Sequence, residues 1–181
     1  MRAKILVLAT FLNTVPPDLV ELTNIPHRLM YAEENVFGKP LYSKKFKPAL
    51  KPEAAKKLQR ANAILQTQGF QLLVLDAYRP AAITARMWEI AKQKHLDPRL
   101  VAPPWVGSDH NRGTAVDVTL LTATGVVAIK AKPDMLGWTS TSEIEILQKA
   151  MRQAGFVGYS LEWWHYCLPN SKQYPIYGTQ K

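Results

Sequence analysis

Three observations predict an α+β fold for this chain. Three segments carry apolar residues at helical spacing, strand-length apolar or alternating runs are interspersed with them, and a late hairpin signal breaks the strand–helix alternation of a doubly wound parallel sheet. The expected arrangement is a small, antiparallel-rich sheet with about three flanking helices. At 181 residues, 47% apolar and 20% charged, the chain has enough apolar surface for one core, which excludes intrinsic disorder. No run approaches the roughly 18 apolar residues of a membrane-spanning helix. The single cysteine, Cys167, excludes an intramolecular disulfide and an all-cysteine zinc site.

The elements follow in order. In residues 1–17, Arg2 and Lys4 precede the apolar run Ile5–Leu12, and Pro16-Pro17 stops it. A basic start followed by such a run reads as an export signal, although no Ala-x-Ala site follows; the alternative is a first strand. The remainder, 18–181, is expected to form one domain. Export would place the protein in the cell envelope, and retention in the cytoplasm. Leu19–Leu22 and Leu29–Tyr31 are short strand candidates. Pro52 suits a first helical position, Ala54, Leu58, Ala61 and Leu65 recur at helical spacing, and Gly69 ends the segment. Phe70–Leu75 has the length and continuity of a buried strand. A second helix is expected over Ala81–Lys94, with Ile83, Met87 and Ile90 on one face, and a proline-rich loop over Asp97–Asp109. Thr114–Leu120 alternates as a half-buried strand, and Thr124-Gly125 turns it toward Val126–Ile129. Ser140 and Glu143 form a capping-box pattern before a third helix through Ile144, Leu147, Met151 and Ala154, stopped by Gly155. Phe156–Leu168 is the last strand region.

The net charge is +9, from 23 basic and 14 acidic residues. It favours anionic surroundings. The densest basic stretch, Lys44 to Lys57, lacks an aromatic ladder and an arginine-rich recognition helix, so it reads as a solvated face and not as a nucleic-acid site.

Chemistry concentrates in three clusters. They are Ser108-Asp109-His110-Asn111-Arg112-Gly113-Thr114-Ala115-Val116-Asp117, then Glu162-Trp163-Trp164-His165, then Asp76-Ala77-Tyr78-Arg79-Pro80. Two histidines and one carboxylate suffice for zinc with an open fourth position, and a further carboxylate can then act as base. The spacing is not the helical His-Glu-x-x-His pattern. Read alone, these residues leave other roles open: His110 capping a turn, His165 a satisfied core histidine, Asp117 paired with Arg112.

The run Ser-x-His-x-x-Gly-x-Ala-x-Asp, followed by Glu-x-x-His, resembles a zinc peptidase group of bacterial D,D-carboxypeptidases, endolysins and D-alanyl-D-alanine dipeptidases of the vancomycin-resistance type. The dipeptidases are the nearest likeness. Asp76–Pro80 matches their Asp-Ala-Tyr-Arg-Pro run, and Tyr159–Tyr166 their Tyr-Ser-Leu-Glu-Trp-Trp-His-Tyr run. Tyr31-Ala32 with Asn35 resembles their Tyr-Ala-x-x-Asn segment. The likeness spans roughly Asp18 to Leu168. It implies one Zn²⁺ per chain held by His110, Asp117 and His165, with Glu162 as catalytic base and Arg79 stabilising the transition state. It also implies a D-alanyl-D-alanine dipeptide or a peptidoglycan-derived peptide as substrate. The rivals are a D,D- or L,D-carboxypeptidase acting on longer peptides and a non-catalytic zinc-containing binding domain. Ser108 either binds the substrate carboxylate or caps its loop. The family's longer loop before the third helix is replaced here by the short segment Ala131–Trp138. Asp134 and Tyr31 are the candidates for its role of meeting the substrate ammonium. Asp76 is expected to be a local hydrogen-bond acceptor, and Cys167 a small buried residue.

Overall fold

The computed structural model describes residues 14–178. The apolar run of the expected leader, 5–12, lies outside the described residues. Val15 packs against the rest of the protein.

Among the described residues nine strands and α-helices follow one another: β1 (Val20–Glu21), β2 (Ala49–Leu50), α1 (Pro52–Gln66), β3 (Phe70–Asp76), α2 (Ala81–Gln93), β4 (Ala115–Thr122), α3 (Ser142–Gln153), β5 (Val157–Tyr159) and β6 (Glu162–Cys167). β1 and β2 form a two-stranded antiparallel pair. The main sheet has the order β3-β4-β6-β5, and all its pairings are antiparallel. This is the α+β architecture expected from the interspersed periodicities.

One face of the sheet is dry. Leu72, Val74, Val116, Val118 and Leu120 point at Leu58 and Leu65 of α1 and at Ile144, Leu147 and Met151 of α3. These positions alternate along β3 and β4, so one strand face is committed to the helices. The same strands offer Leu73, Leu75, Asp117 and Thr119 as the alternate positions. A second cluster joins Ile83, Met87 and Ala91 of α2 to Leu29, Tyr31, Tyr42 and Phe46 of the segment before β2.

Four local expectations need correction. Leu29–Tyr31 is not a strand: Met30–Ala32 is a 3-10 turn, and the Tyr31 carbonyl accepts the N–H groups of Leu41 and Tyr42. The extended contact lies just upstream, where His27 bridges Val74 in parallel. Three apolar residues cannot distinguish a strand from a buried turn. β4 is not half-buried, since Ala115–Leu121 are all buried. Its polar positions face a site covered by other segments, not solvent. Val126–Ile129 turns back as expected, with Thr122 N–H donating to the Val126 carbonyl and Ala128 N–H to that of Leu120. Its pairing stops at one bridge, Leu121 to Val127, short of a full strand. The N-cap of α3 is Thr141, not Ser140: Thr141 Oγ1 accepts the Ile144 N–H, while Ser140 Oγ donates to Glu145.

Candidate metal centre

β4 and β6 pair so that Asp117 and His165 are direct cross-strand neighbours. His110 comes from the 3-10 turn Asp109–Arg112, immediately before β4. Gly113 ends that turn at φ +67, a left-handed conformation that costs an L side chain about 1–2 kcal/mol. The turn thus folds His110 back over the strand that carries Asp117.

Three donor atoms converge. His110 Nε2 lies 3.1 Å from His165 Nδ1 and 3.2 Å from Asp117 Oδ1, and His165 Nδ1 lies 3.0 Å from the same Asp117 oxygen. Zinc–ligand distances of about 2.0–2.1 Å give a tetrahedral face with edges of about 3.3 Å. The observed triangle is close to that size. The protonation pattern agrees. His110 Nδ1 is 2.7 Å from the Ala77 carbonyl, which can only accept, so the proton of a neutral ring sits on Nδ1 and the Nε2 lone pair faces the centre. His110 and Asp117 are buried, and His165 is nearly so. The donor set therefore fits a small divalent cation.

Two carboxylates beside this triangle have unusual basicity. Glu162 Oε2 stands 3.9 Å from His165 Nδ1. Burial, reinforced by Asp117 and Asp134 and opposed by His165, pushes the Glu162 carboxyl up to about 7. Asp134 is pushed up to about 6 by burial and by Asp117, against the hydrogen bond from Tyr31. Asp117 itself is held well below the usual carboxylate range: burial works the other way, but both histidines favour its charged form.

Arg79 occupies the next position. It follows β3, where a bulge between Val74 and Asp76 sets Asp76 opposite Asp117. Arg79 is 5% exposed, and its Nε and Nη2 both donate to Asp76 Oδ2, at 2.9 and 2.7 Å. Tyr42 donates to the other Asp76 oxygen at 2.9 Å. Asn111 clamps the Arg79 carbonyl, and the guanidinium lies over the Tyr31 ring, 4.9 Å from its centroid. Arg79 Nη2 remains 3.8 Å from Asp117 Oδ2. The arginine is thus held from several sides before any ligand arrives.

All eight site residues expected from the sequence, His110, Asp117, His165, Glu162, Arg79, Ser108, Tyr31 and Asp134, line one cavity of about 410 Å³. The Tyr31 hydroxyl donates to Asp134 at 3.0 Å, across 103 residues of sequence. Ser108 Oγ accepts the His110 N–H at 3.3 Å, so it caps the turn while lining the pocket. Arg112 does not reach Asp117 and instead donates to the Tyr174 carbonyl. Trp163 and Trp164 are each 1% exposed.

Other residues at this site went unassigned in the sequence reading. Tyr42 belongs to the support of Arg79, and nothing in its local sequence connects it to Asp76. Asp109, Ser171 and Lys172 form a hydrogen-bonded group on the pocket wall, with Asp109 accepting at 2.7 and 3.0 Å. Cys167 is half-buried on the same wall, and its thiol, Asp109 and His165 also lie within 4.8 Å of one another. Asp109 is already committed to Ser171 and Lys172, so the His110–Asp117–His165 triangle is the better cation site.

The chain is similar to known proteins in sequence and in fold. A D-alanyl-D-alanine dipeptidase of Escherichia coli (strain K12) is 34% identical over 180 residues, covering 90% of this chain and 91% of that protein. The structure of the LD-carboxypeptidase LdcB is similar with a TM-score of 0.57 at 20% identity, over 89% of this chain and 72% of that one. A vancomycin-resistance D,D-pentapeptidase, a VanY mutant in complex with Zn(II), is similar with a TM-score of 0.50 at 17% identity, over 88% and 82% of the two chains. These two likenesses reflect a shared fold. The family model described as Peptidase_M15, D-ala-D-ala dipeptidase, matches residues 15–179, nearly all of the described chain, and the chain belongs to that family.

Proposed function

We propose that this protein is a zinc metallopeptidase that hydrolyses the D-alanyl-D-alanine dipeptide. The observation that carries the reading is the convergence of two histidines and a carboxylate on one point, with Glu162 and Arg79 facing the same cavity. Membership of a dipeptidase family supports the substrate class.

His110 Nε2, Asp117 and His165 Nδ1 would hold the ion. Bound zinc supplies Lewis acidity, polarising the scissile carbonyl and lowering the pKa of water to about 7. Glu162 takes the proton of the attacking water and returns it to the leaving amine, a task suited to a carboxyl whose burial raises its basicity. Arg79 donates its remaining N–H groups to the developing oxyanion. Asp76 keeps the guanidinium from having to reorganise when that charge appears. Asp134, oriented by Tyr31, receives the substrate ammonium, and the Ser108 hydroxyl binds the terminal carboxylate.

A dipeptidase must match a charge at each end of its substrate, because an unpaired buried charge is costly. The Tyr31–Asp134 pair supplies that match at the amino end and favours a dipeptide over longer peptides.

Turnover of D-Ala-D-Ala by the zinc-loaded protein, against N-acetyl-D-Ala-D-Ala, tests the reading. The free dipeptide is expected to be cleaved and the acetylated one much more slowly, with Asp134→Asn narrowing the gap by weakening only the former. Equal kcat/KM on both substrates would replace this reading with a carboxypeptidase. His110→Ala, Asp117→Ala and His165→Ala are each expected to lose zinc by elemental analysis.

A further inference from the structure

A second cavity, of about 660 Å³, lies along the same side of the sheet as the metal centre. It is walled by Met30, Leu73, Leu75, Val127, Ile129 and Met135. A cavity of this size and character is typical of small-molecule sites. Among the described residues, Asp134 alone lines both this cavity and the catalytic pocket. It stands on the short segment before α3 with φ +59, a left-handed conformation uncommon outside glycine, and Tyr31 holds its carboxyl.

Two further features show what the cavity lacks. Thr119 and Trp163 line it from β4 and β6, 4% and 1% exposed, and neither Thr119 Oγ1 nor Trp163 Nε1 has a hydrogen-bond partner. Their polar atoms have essentially no accessible surface, so the side chains that β4 and β6 present to a ligand here are apolar. Apart from Asp134 itself, the charged residues around it are Arg28 and Lys132 against Glu33 and Glu34, so with Asp134 removed the lining carries no net charge. An apolar, uncharged space just beyond the amino end of the dipeptide suits the chain of an N-acyl group.

We propose that this cavity is an acyl subsite continuous with the catalytic pocket, closed by Asp134, so that removing this one side chain admits N-acyl-D-alanyl-D-alanine substrates. The inference rests on the dipeptidase reading above. The chemistry is unchanged: one water is consumed, the D-Ala–D-Ala amide breaks, and N-acyl-D-alanine and D-alanine leave. The restriction to free dipeptides then has two parts. Asp134 attracts an ammonium, and it also blocks the path behind it. Asp134→Asn removes only the first part, because its side chain has nearly the same volume.

The experiment compares N-acetyl- and N-hexanoyl-D-Ala-D-Ala on zinc-loaded wild type, Asp134→Asn and Asp134→Gly. Glycine accommodates φ +59 without strain, and Asp134→Ala is the second opening variant should Asp134→Gly not fold. Burial of one methylene corresponds to about fourfold in affinity. The four extra methylenes should therefore raise kcat/KM of the opened variant at least ~10-fold over the acetyl substrate, with no such length dependence in wild type or Asp134→Asn. Adding Val127→Trp to the opened variant, which fills the cavity, should abolish the preference. A gain that is independent of acyl length, or a preference that survives Val127→Trp, would overturn the subsite. Failure of wild type to cleave free D-Ala-D-Ala would instead overturn the dipeptidase reading. The subsite is then judged by calorimetric binding of N-hexanoyl-D-alanine, expected to be tighter than N-acetyl-D-alanine only in the opened variant; equal affinities would refute it.

Discussion

Removing the Asp76 carboxylate strikes the support of Arg79 without replacing a candidate metal ligand. Asp76 is fully buried, Arg79 is 5% exposed, and two charge-assisted hydrogen bonds join them. Asp76→Ala leaves a buried guanidinium with one carboxylate in reach, Asp117 at 3.8 Å, and leaves the Tyr42 hydroxyl without its acceptor. Breaking a buried pair of this kind costs about 3–5 kcal/mol. For a protein of this size about 2–4 °C of Tm is lost per kcal/mol, so a fall of roughly 6–20 °C is expected. Asp76→Asn retains a neutral acceptor and should lose less. Catalytically, a guanidinium drawn toward Asp117 no longer meets the oxyanion, and loss of such a donor costs about 10²–10³ in kcat. Because that loss falls on the transition state, KM should change less than kcat. The double variant with Arg79→Ala should be little slower than Arg79→Ala alone, since both act through one group. Zinc should remain, because His110 Nδ1 is held by the Ala77 carbonyl and lies 3.8 Å from Asp76. The assays are thermal unfolding, steady-state kinetics on D-Ala-D-Ala and zinc analysis of the same samples. An unchanged Tm with unchanged kcat would refute the positioning argument, and loss of zinc would mean that Asp76 serves the ligands instead.

Glu162→Gln should keep its zinc and lose about 10²–10⁴ in turnover, as expected for removal of a general base; wild-type rates would refute Glu162 as the base. Glu162 must be ionised to act, so kcat/KM should fall as pH falls through the Glu162 pKa, about 7 without a cation and lower with one bound nearby, and this limb should vanish from the residual activity of Glu162→Gln. Only the ionised form of Asp134 attracts an ammonium, so KM for D-Ala-D-Ala should rise as pH falls through the Asp134 pKa, about 6 without a cation and lower with one bound to Asp117, and should stay flat in Asp134→Asn. Gly113→Ala should destabilise the protein by about 1–2 kcal/mol through its positive φ, and the added Cβ would stand 2.8 Å from Leu19, all checked by denaturant titration.

The elements legible in the sequence are those whose signal repeats within one segment. The three helices carry several apolar residues per face and end near Gly69, Lys94 and Gly155, and β3 is a continuous apolar run. Short segments failed where the signal was only a few residues long. Leu29–Tyr31 could not declare itself a turn because the bonds that make it one come from Leu41 and Tyr42. Ser140 and Thr141 are equivalent caps by residue type, and the helical frame set by Ile144, Leu147 and Met151 selects the second. β4 alternates as a half-exposed strand would, yet it is buried because its polar face lines a covered site.

The candidate site divides along the same line. His110, Gly113 and Asp117 lie within eight residues, so a turn and one strand suffice to bring that motif together, and the sequence by itself determined it. Glu162 and His165 likewise share β6. What joins the two motifs is the register of β4 against β6, which sets Asp117 opposite His165 across 48 residues. Tyr42 reaching Asp76, Tyr31 meeting Asp134, and the cavity behind Asp134 were decided by tertiary structure alone. Residue type and periodicity are properties of a segment. The approach of two distant segments is set by the packing of everything between them, and a hydrogen bond made across such a distance leaves no periodic trace at either end.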